Sequence, residues 1–269
     1  MICLIFCNKE CTLPELPDVE VYKNYLTYTI LQKKIEDIII NDSKVLQCSS
    51  NQLKKLQGDS FSNISRHGKY CFLQTNQNYF LILHFGMTGN VKYYKNESDP
   101  EHASLIVLFS NDYKFAFINV RKLGKIFFCQ DKNQFIKKMG LGPDSFSLSK
   151  SEFIKILQYK KGMIKSTLMN QKTIAGIGNI YSDEILYQSY IHPKRKTGDL
   201  SKNELSSIYK NMQKIFQVAI DIKVQLDHFP DYYLVNRRKP AIKCGLCKGT
   251  IERKKINGRS CYFCNNHQK

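Results

Sequence analysis

The residues with the clearest chemistry lie near the C-terminus. Cys244-Gly-Leu-Cys247 is a C-x₂-C pair, and Cys264-Asn-Asn-His267 is a C-x₂-H pair. Thiolates and imidazole are the donors that Zn²⁺ prefers in a closed tetrahedral site, with Zn–S bonds near ~2.3 Å. Sixteen residues separate the two pairs, enough for a two-stranded hairpin that returns the second pair to the first. Cys261-x₂-Cys264 offers a competing spacing, so spacing alone leaves the register open between the two second pairs. Residues 241–269 are too few for a core of their own, so one structural metal ion would supply their folding energy.

A second candidate is Ala175-Gly176-Ile177-Gly178-Asn179, between two helical patterns. A dinucleotide fingerprint needs a third glycine where Tyr181 stands, and a strand before it. The remaining reading is a helix–turn–helix connection whose backbone N–H groups, with the Asn179 side chain, grip a DNA phosphate. Three further turns carry cations or apolar tips: Arg66-His67-Gly68-Lys69, His84-Phe85-Gly86-Met87-Thr88-Gly89 and Val120-Arg121-Lys122-Leu123-Gly124. Each alone is an ordinary loop. Together they supply what base flipping needs: apolar wedges for the opened stack, an arginine for the vacated space and a lysine for the backbone.

These residues require elements to hold them. Pro17, Asp18 and Glu20 suit a helix first turn, and Val19, Tyr22 and Leu26 then share one face. From Ile35 to about Cys129 the texture is short β-branched and aromatic runs, among them Lys69–Leu73, Tyr79–His84, Leu105–Phe109 and Lys114–Ile118. Such spacing predicts a β-sandwich or barrel. From Lys132 to Lys223 the pattern is helical, with a break at Gly140–Pro143 and an apolar stripe of Phe153, Ile154 and Leu157.

Composition narrows the partner. Lys and Arg number 41 against 23 Asp and Glu, a formal charge of +18. Basic runs such as Lys194-Arg195-Lys196, Arg237-Arg238-Lys239 and Arg253-Lys254-Lys255 make a field that attracts polyanions and releases their counterions. No apolar run reaches membrane-spanning length, and MICLIFCNKECT is a poor secretion signal. Clustered cysteines in a basic chain point to metal ligation in a reducing compartment, hence a cytoplasmic, nucleoid-associated protein.

From Pro14 to Lys269 the sequence resembles the formamidopyrimidine-DNA glycosylase and endonuclease VIII family, and is closer to the first. Family members begin the mature chain with Pro-Glu-Leu-Pro-Glu-Val-Glu, and Pro14–Glu20 differs only at Asp18. The family's strand lysine corresponds to Lys69, its methionine turn to Met87, and its arginine–phenylalanine wedge to Arg121 and Leu123. Its helix–two-turn–helix signature recurs as Gln171, Ala175–Tyr181 and Asp183-Glu184. Its zinc hairpin carries Gly-Arg-Ser, here Gly258-Arg259-Ser260, and ends Cys-x₂-Cys-Gln. The closing Gln268 makes His267 the fourth ligand by resemblance.

The resemblance implies an α+β fold: an N-terminal catalytic β-sandwich domain over 14–131, a linker over 132–148, a helical helix–two-turn–helix domain over 149–240 and a zinc-bound β-hairpin over 241–269. It implies a monomer acting on double-stranded DNA that contains oxidised bases or abasic sites, with one structural Zn²⁺ and no membrane partner. The family's N-terminal proline amine attacks C1′ of the damaged nucleoside and forms an iminium. Pro14 would be that nucleophile and Glu15 the proton shuttle, while Lys69, Arg259 and Asn179 would hold phosphates. Three departures stand out. Leu123 replaces the phenylalanine wedge, the 225–236 stretch is short and aromatic where the family has a glycine-rich loop, and Pro14 is not residue 1. An acylated proline nitrogen is not a nucleophile, so the active chain is expected to begin at Pro14, without residues 1–13 and their Cys3, Cys7 and Cys11. The competing readings are a non-catalytic reader of distorted DNA with a blocked nucleophile, and a zinc-ribbon RNA-binding protein.

Overall fold

The computed structural model describes residues 14–269. Residues 1–13, including the expected extension and its three cysteines, lie outside the described residues. The chain forms two compact units, one combining Pro14 with Asp18–Met139, the other combining Glu15–Pro17 with Gly140–Lys269.

In the first unit, helix α1 (Leu16–Ile30) carries Asp18 in its first turn. Its Val19, Tyr22, Leu26 and Ile30 recur at helical spacing and are buried. The strands are β1 (Ile35–Ile40), β2 (Phe61–His67), β3 (Tyr70–Thr75), β4 (Phe80–His84), β5 (Gly89–Tyr94), β6 (Ala103–Phe109), β7 (Lys114–Asn119) and β8 (Lys125–Cys129). A short helix, α2 (Ser50–Lys54), follows β1 and is closed by a Ser49–Gln52 capping box. The strands make two four-stranded antiparallel sheets, in the orders β1-β6-β7-β5 and β2-β3-β4-β8.

Alternation decides the packing. Cys71, Leu73, Leu81 and Leu83 point to one face of the second sheet. They share a core with Leu105, Val107, Phe109, Phe115 and Phe117 of the first sheet and with α1. That makes the unit a sandwich. The alternate residues Phe72, Phe80 and Ile82 face the other way and are buried too, against Phe135 of α3 (Lys132–Lys138). Segment 132–148 therefore does not begin as bare linker: its first seven residues are a helix, N-capped by Asp131, that covers a sheet face. Gly140, at φ +63, follows it at the boundary between the units.

The second unit holds α4 (Lys150–Leu157), α5 (Ile164–Leu168), α6 (Asn179–Gln188) and α7 (Lys202–Asp221). Capping boxes at Ser149–Glu152 and Ser201–Glu204 start α4 and α7. Phe153 and Leu157 of α4, Ile185 of α6 and Ile208, Met212 and Phe216 of α7 bury into one core. The chain then forms the hairpin of β9 (Glu252–Ile256) and β10 (Arg259–Phe263). Its turn residues Asn257 and Gly258 sit at φ +47 and +76, the left-handed pair that a tight two-residue hairpin turn requires. Among the described residues no helix is long and apolar enough to cross a membrane.

Candidate nucleic-acid interface and metal centre

The hairpin brings together four donors far apart in sequence. The ligand atoms of Cys244, Cys247, Cys264 and His267 all lie within 4.8 Å of one another. His267 Nδ1 is 3.4 Å from Cys244 Sγ and 3.5 Å from Cys247 Sγ, and the sulfurs of Cys247 and Cys264 are 3.6 Å apart. A tetrahedron of ~2.3 Å metal–sulfur bonds has edges of about 3.8 Å, so the quartet fits a metal ion of that kind.

The surroundings orient these donors. His267 Nε2 lies 3.3 Å from the Tyr187 carbonyl, a contact that leaves Nδ1 with its lone pair when Nε2 carries the proton. The Tyr187 hydroxyl accepts from Gly245 N–H and contacts Cys244 Sγ at 3.0 Å. Burial opposes ionisation of Cys247, but hydrogen bonds from Asn266, Gly249 and His267 outweigh it and bring the thiol down to about 6. Gln268 accepts from Cys264 N–H through Oε1 and donates to the Ile191 carbonyl through Nε2, which fixes the end of the site.

Cys261, the rival ligand, faces elsewhere. It is fully buried, and its thiol donates to Asp183 Oδ1 at 3.1 Å. Asp183, which the sequence marks only as part of the helix–two-turn–helix signature, is a hub whose partners sequence reading missed. It pairs with Lys165, binds Arg238 at 2.8 Å and accepts from Tyr262 N–H, so it ties the hairpin to α6. Lys165 and Asp183 are 1% exposed. A lysine on a short helix reads as a solvent residue, and its partner lies 18 positions away, so no local pattern marks the pair.

The glycine turn precedes α6, and its geometry is set by Glu15. The Glu15 carboxylate accepts from the backbone N–H groups of Gly178 (2.8 Å), Ile180 (2.8 Å) and Tyr181 (3.2 Å). Gly178 N–H, one of the turn N–H groups expected to face a DNA phosphate, is thus taken by this side chain, together with two N–H groups from the start of α6. A buried carboxylate is a strong acceptor at a helix N-terminus, so it displaces that role. Gly176 has φ +116, and a Cβ there would lie 2.4 Å from Leu16 Cδ1. Gln171 braces the turn, accepting from Gly176 N–H and donating to the carbonyls of Met169 and Ile177. Asn179 opens α6 with its Oδ1 buried and without a hydrogen-bond partner. Arg259 is exposed at the start of β10.

In the first unit, Pro14 is buried. Lys69 occupies the two-residue turn between β2 and β3, beside Gly68 at φ +55. Burial, and secondarily the Lys69 charge, press His84 down to about 4, so it is neutral at physiological pH. Arg66 is committed to Glu20 at 2.6 Å. The Met87 turn and the Arg121–Leu123 turn abut: Arg121 N–H donates to Thr88 Oγ1 at 3.1 Å, and a Cβ on Gly86 would strike the Leu123 carbonyl carbon at 2.4 Å. Asn119 clasps Gly124 N–H through Oδ1 at the base. Met87 is half-buried, Arg121 is exposed and Leu123 is 46% exposed, so these side chains sit on loops.

Known proteins match both units. Residues 13–126 match the formamidopyrimidine-DNA glycosylase N-terminal domain, and residues 139–228 match the H2TH (helix–two-turn–helix) domain of the same enzymes. The formamidopyrimidine-DNA glycosylase of Syntrophomonas wolfei is 30% identical over 271 residues, covering 96% of this chain and all of the relative. The chain belongs to the formamidopyrimidine-DNA glycosylase family. The solved glycosylase of Lactococcus lactis, bound non-covalently to DNA containing an abasic site, superposes with a TM-score of 0.86 at 27% identity, over 95% of this chain and all of that one. A structure of MutM with DNA containing carbocyclic 8-oxo-G gives the same TM-score, identity and coverage. This family membership joins the sandwich, the helical unit and the Cys₃His hairpin in one fold.

Proposed function

We propose that this formamidopyrimidine-DNA glycosylase family member is a glycosylase with associated abasic-site lyase activity, removing oxidised bases, mainly purines, from double-stranded DNA in base excision repair. The observation that carries the reading is the three-point clamp on Glu15, which fixes the residue covalently next to Pro14. The solved relatives, bound to abasic-site and 8-oxo-G DNA, support the substrate class.

The chemistry follows from a secondary amine. An α-amino group titrates near ~8, so a usable fraction of a free Pro14 nitrogen is neutral. It attacks C1′, the damaged base departs with the glycosidic electron pair and takes a proton, and the opened sugar remains as an iminium. Glu15 passes the proton that opens the ring at its oxygen. The iminium then draws electrons through two successive eliminations, releasing the phosphates on either side of the sugar. Lys69, Arg259 and Asn179 hold backbone phosphates, and Met87, Arg121 and Leu123 fill the space left by the extruded nucleotide. One Zn²⁺ on Cys244, Cys247, Cys264 and His267 keeps the hairpin folded, a structural role. The protein works as a monomer in the cytoplasm, on nucleoid DNA.

All of this requires the Pro14 nitrogen to be an amine, so the active form begins at Pro14. The family match from residue 13 onward supports that start. Borohydride trapping on an abasic-site duplex tests the reading, using the chain beginning at Pro14 beside the 269-residue chain. A covalent adduct is expected from the shorter chain alone. No adduct from either chain would make the protein a non-catalytic reader of damaged DNA, and equal adducts from both would move the nucleophile to another amine.

A further inference from the structure

The hairpin turn carries the one Asn-Gly pair in the 269 residues, Asn257-Gly258. Asparagine is a heat-labile residue, because the nitrogen of the next peptide can close on its side-chain carbonyl carbon and expel ammonia. A following glycine puts no Cβ in the way. Here the approach is open: both residues are exposed, and a Cβ on Gly258 would meet nothing within 4 Å. The local charge favours the same step. Closure passes through an anionic nitrogen, which nearby cations stabilise. Arg253, Lys254, Lys255 and Arg259 flank the turn on its two strands, and from Arg253 to Lys269 the sequence has no Asp or Glu. Two features hold the reaction back. Asn257 sits at φ +47 in a turn fixed by the Ile256–Arg259 strand pair, and its Nδ2 donates to Ser166 Oγ of α5 at 2.6 Å. Ring closure turns the amide onto the Gly258 nitrogen, so the Ser166 bond must break first.

We infer that Asn257 is a self-modification site, converted to aspartate and isoaspartate at a rate set by its bond to Ser166. The Gly258 nitrogen gives its proton to water and bonds to Asn257 Cγ. The Cγ–Nδ2 bond breaks, and Nδ2 leaves as ammonia after taking a proton back from solvent. Water then adds across either carbonyl of the resulting succinimide and opens it, so the net change is amide plus water to acid plus ammonia. Both products alter the turn. Aspartate puts a negative charge among four cations, where it opposes a polyanion. Isoaspartate adds a backbone methylene, for which a two-residue turn between Ile256 and Arg259 has no place. With Arg259 two residues away, either product weakens duplex binding as the protein ages, a consequence that rests on the DNA-binding function proposed above.

The test ages the zinc-loaded chain beginning at Pro14 in warm, mildly alkaline buffer and maps amide loss by peptide mass spectrometry. Conversion is expected at Asn257 ahead of every other asparagine. Ser166→Ala should speed it severalfold, and Ser166→Thr, which keeps the hydroxyl, should not. Unchanged zinc content in both variants shows that the hairpin stays folded. No conversion at Asn257 in wild type or in Ser166→Ala overturns the site, and equal rates in the two overturn the restraint. For the consequence, Asn257→Asp should bind an abasic-analogue duplex about tenfold more weakly, with a salt slope shallower by about one. Equal affinity and slope overturn the loss of binding. A wild type that binds no duplex is a different result: it sinks the functional reading itself, and the mass measurement still decides the site.

Discussion

Gly178 has no side chain because Glu15 fills the space one would occupy: a Cβ there would lie 2.2 Å from the Glu15 carboxyl carbon. The backbone at Gly178 is at φ −122, within reach of any residue, so the demand for glycine is purely steric.

Gly178→Ala must therefore push the Glu15 carboxylate off its three N–H donors. Overpacking of this kind costs about 1–3 kcal/mol of stability, measurable by chemical denaturation. Adduct formation should fall further, by about hundredfold, since a displacement near 1 Å suffices for such a loss. A variant that keeps wild-type trapping rates would separate Glu15 from the reaction.

Metal analysis distinguishes the ligands. His267→Ala should sharply lower bound zinc, and Cys261→Ala should leave it intact, because the Cys261 thiol serves Asp183. Chelation should abolish duplex binding, since Arg259 rides on the hairpin, and should leave the sandwich unit folded as judged by its amide spectrum. Zinc loss in Cys261→Ala would reverse the assignment of the ligands.

Truncating the loop tips separates wedge from core. Leu123→Ala and Met87→Ala should slow single-turnover excision about tenfold or more, because flipping costs a few kcal/mol of unstacking. Melting temperature should change little for Leu123, which is 46% exposed. A variant that chiefly loses thermal stability marks a core residue.

Glu184 gives a pH signature. Burial raises its carboxyl to about 7, against hydrogen bonds from Gln188 and from the Val235 and Leu234 backbone that lower it. The folded state then holds a proton that the unfolded state has released between pH ~4.5 and ~7, so this group's contribution to stability falls as pH rises through that window. Above it the loss is complete. Glu184→Gln should flatten this component of the pH–stability curve, amounting to a few kcal/mol at most. An unchanged slope would remove Glu184 as its source.

The parts legible in the sequence were those with a local period. The strands alternate, α4 repeats its apolar stripe, and the metal quartet shows its spacing. His267 over Cys261 needed family resemblance, because two spacings competed and nothing local said that Cys261 would face an acid 78 residues earlier. The glycine turn was legible as a turn, but its Gly178 N–H goes to a carboxylate 163 residues upstream. Helix α3 falls at the start of the helical pattern read from Lys132, although the family resemblance counted 132–148 as linker; the sheet face it covers was what the sequence did not show.

Helix α6 has ten residues, a length of about 15 Å. Its first turn holds the Glu15 carboxylate, and near its last turn Tyr187 touches two of the four residues that could hold a metal ion. It is therefore a strut with a fixed fitting at each end. A stiff member of this length passes tilt from one fitting to the other instead of absorbing it. Metal exchange at the hairpin should consequently be audible at the far end, as a shift in the amide resonances of Gly178 and Ile180.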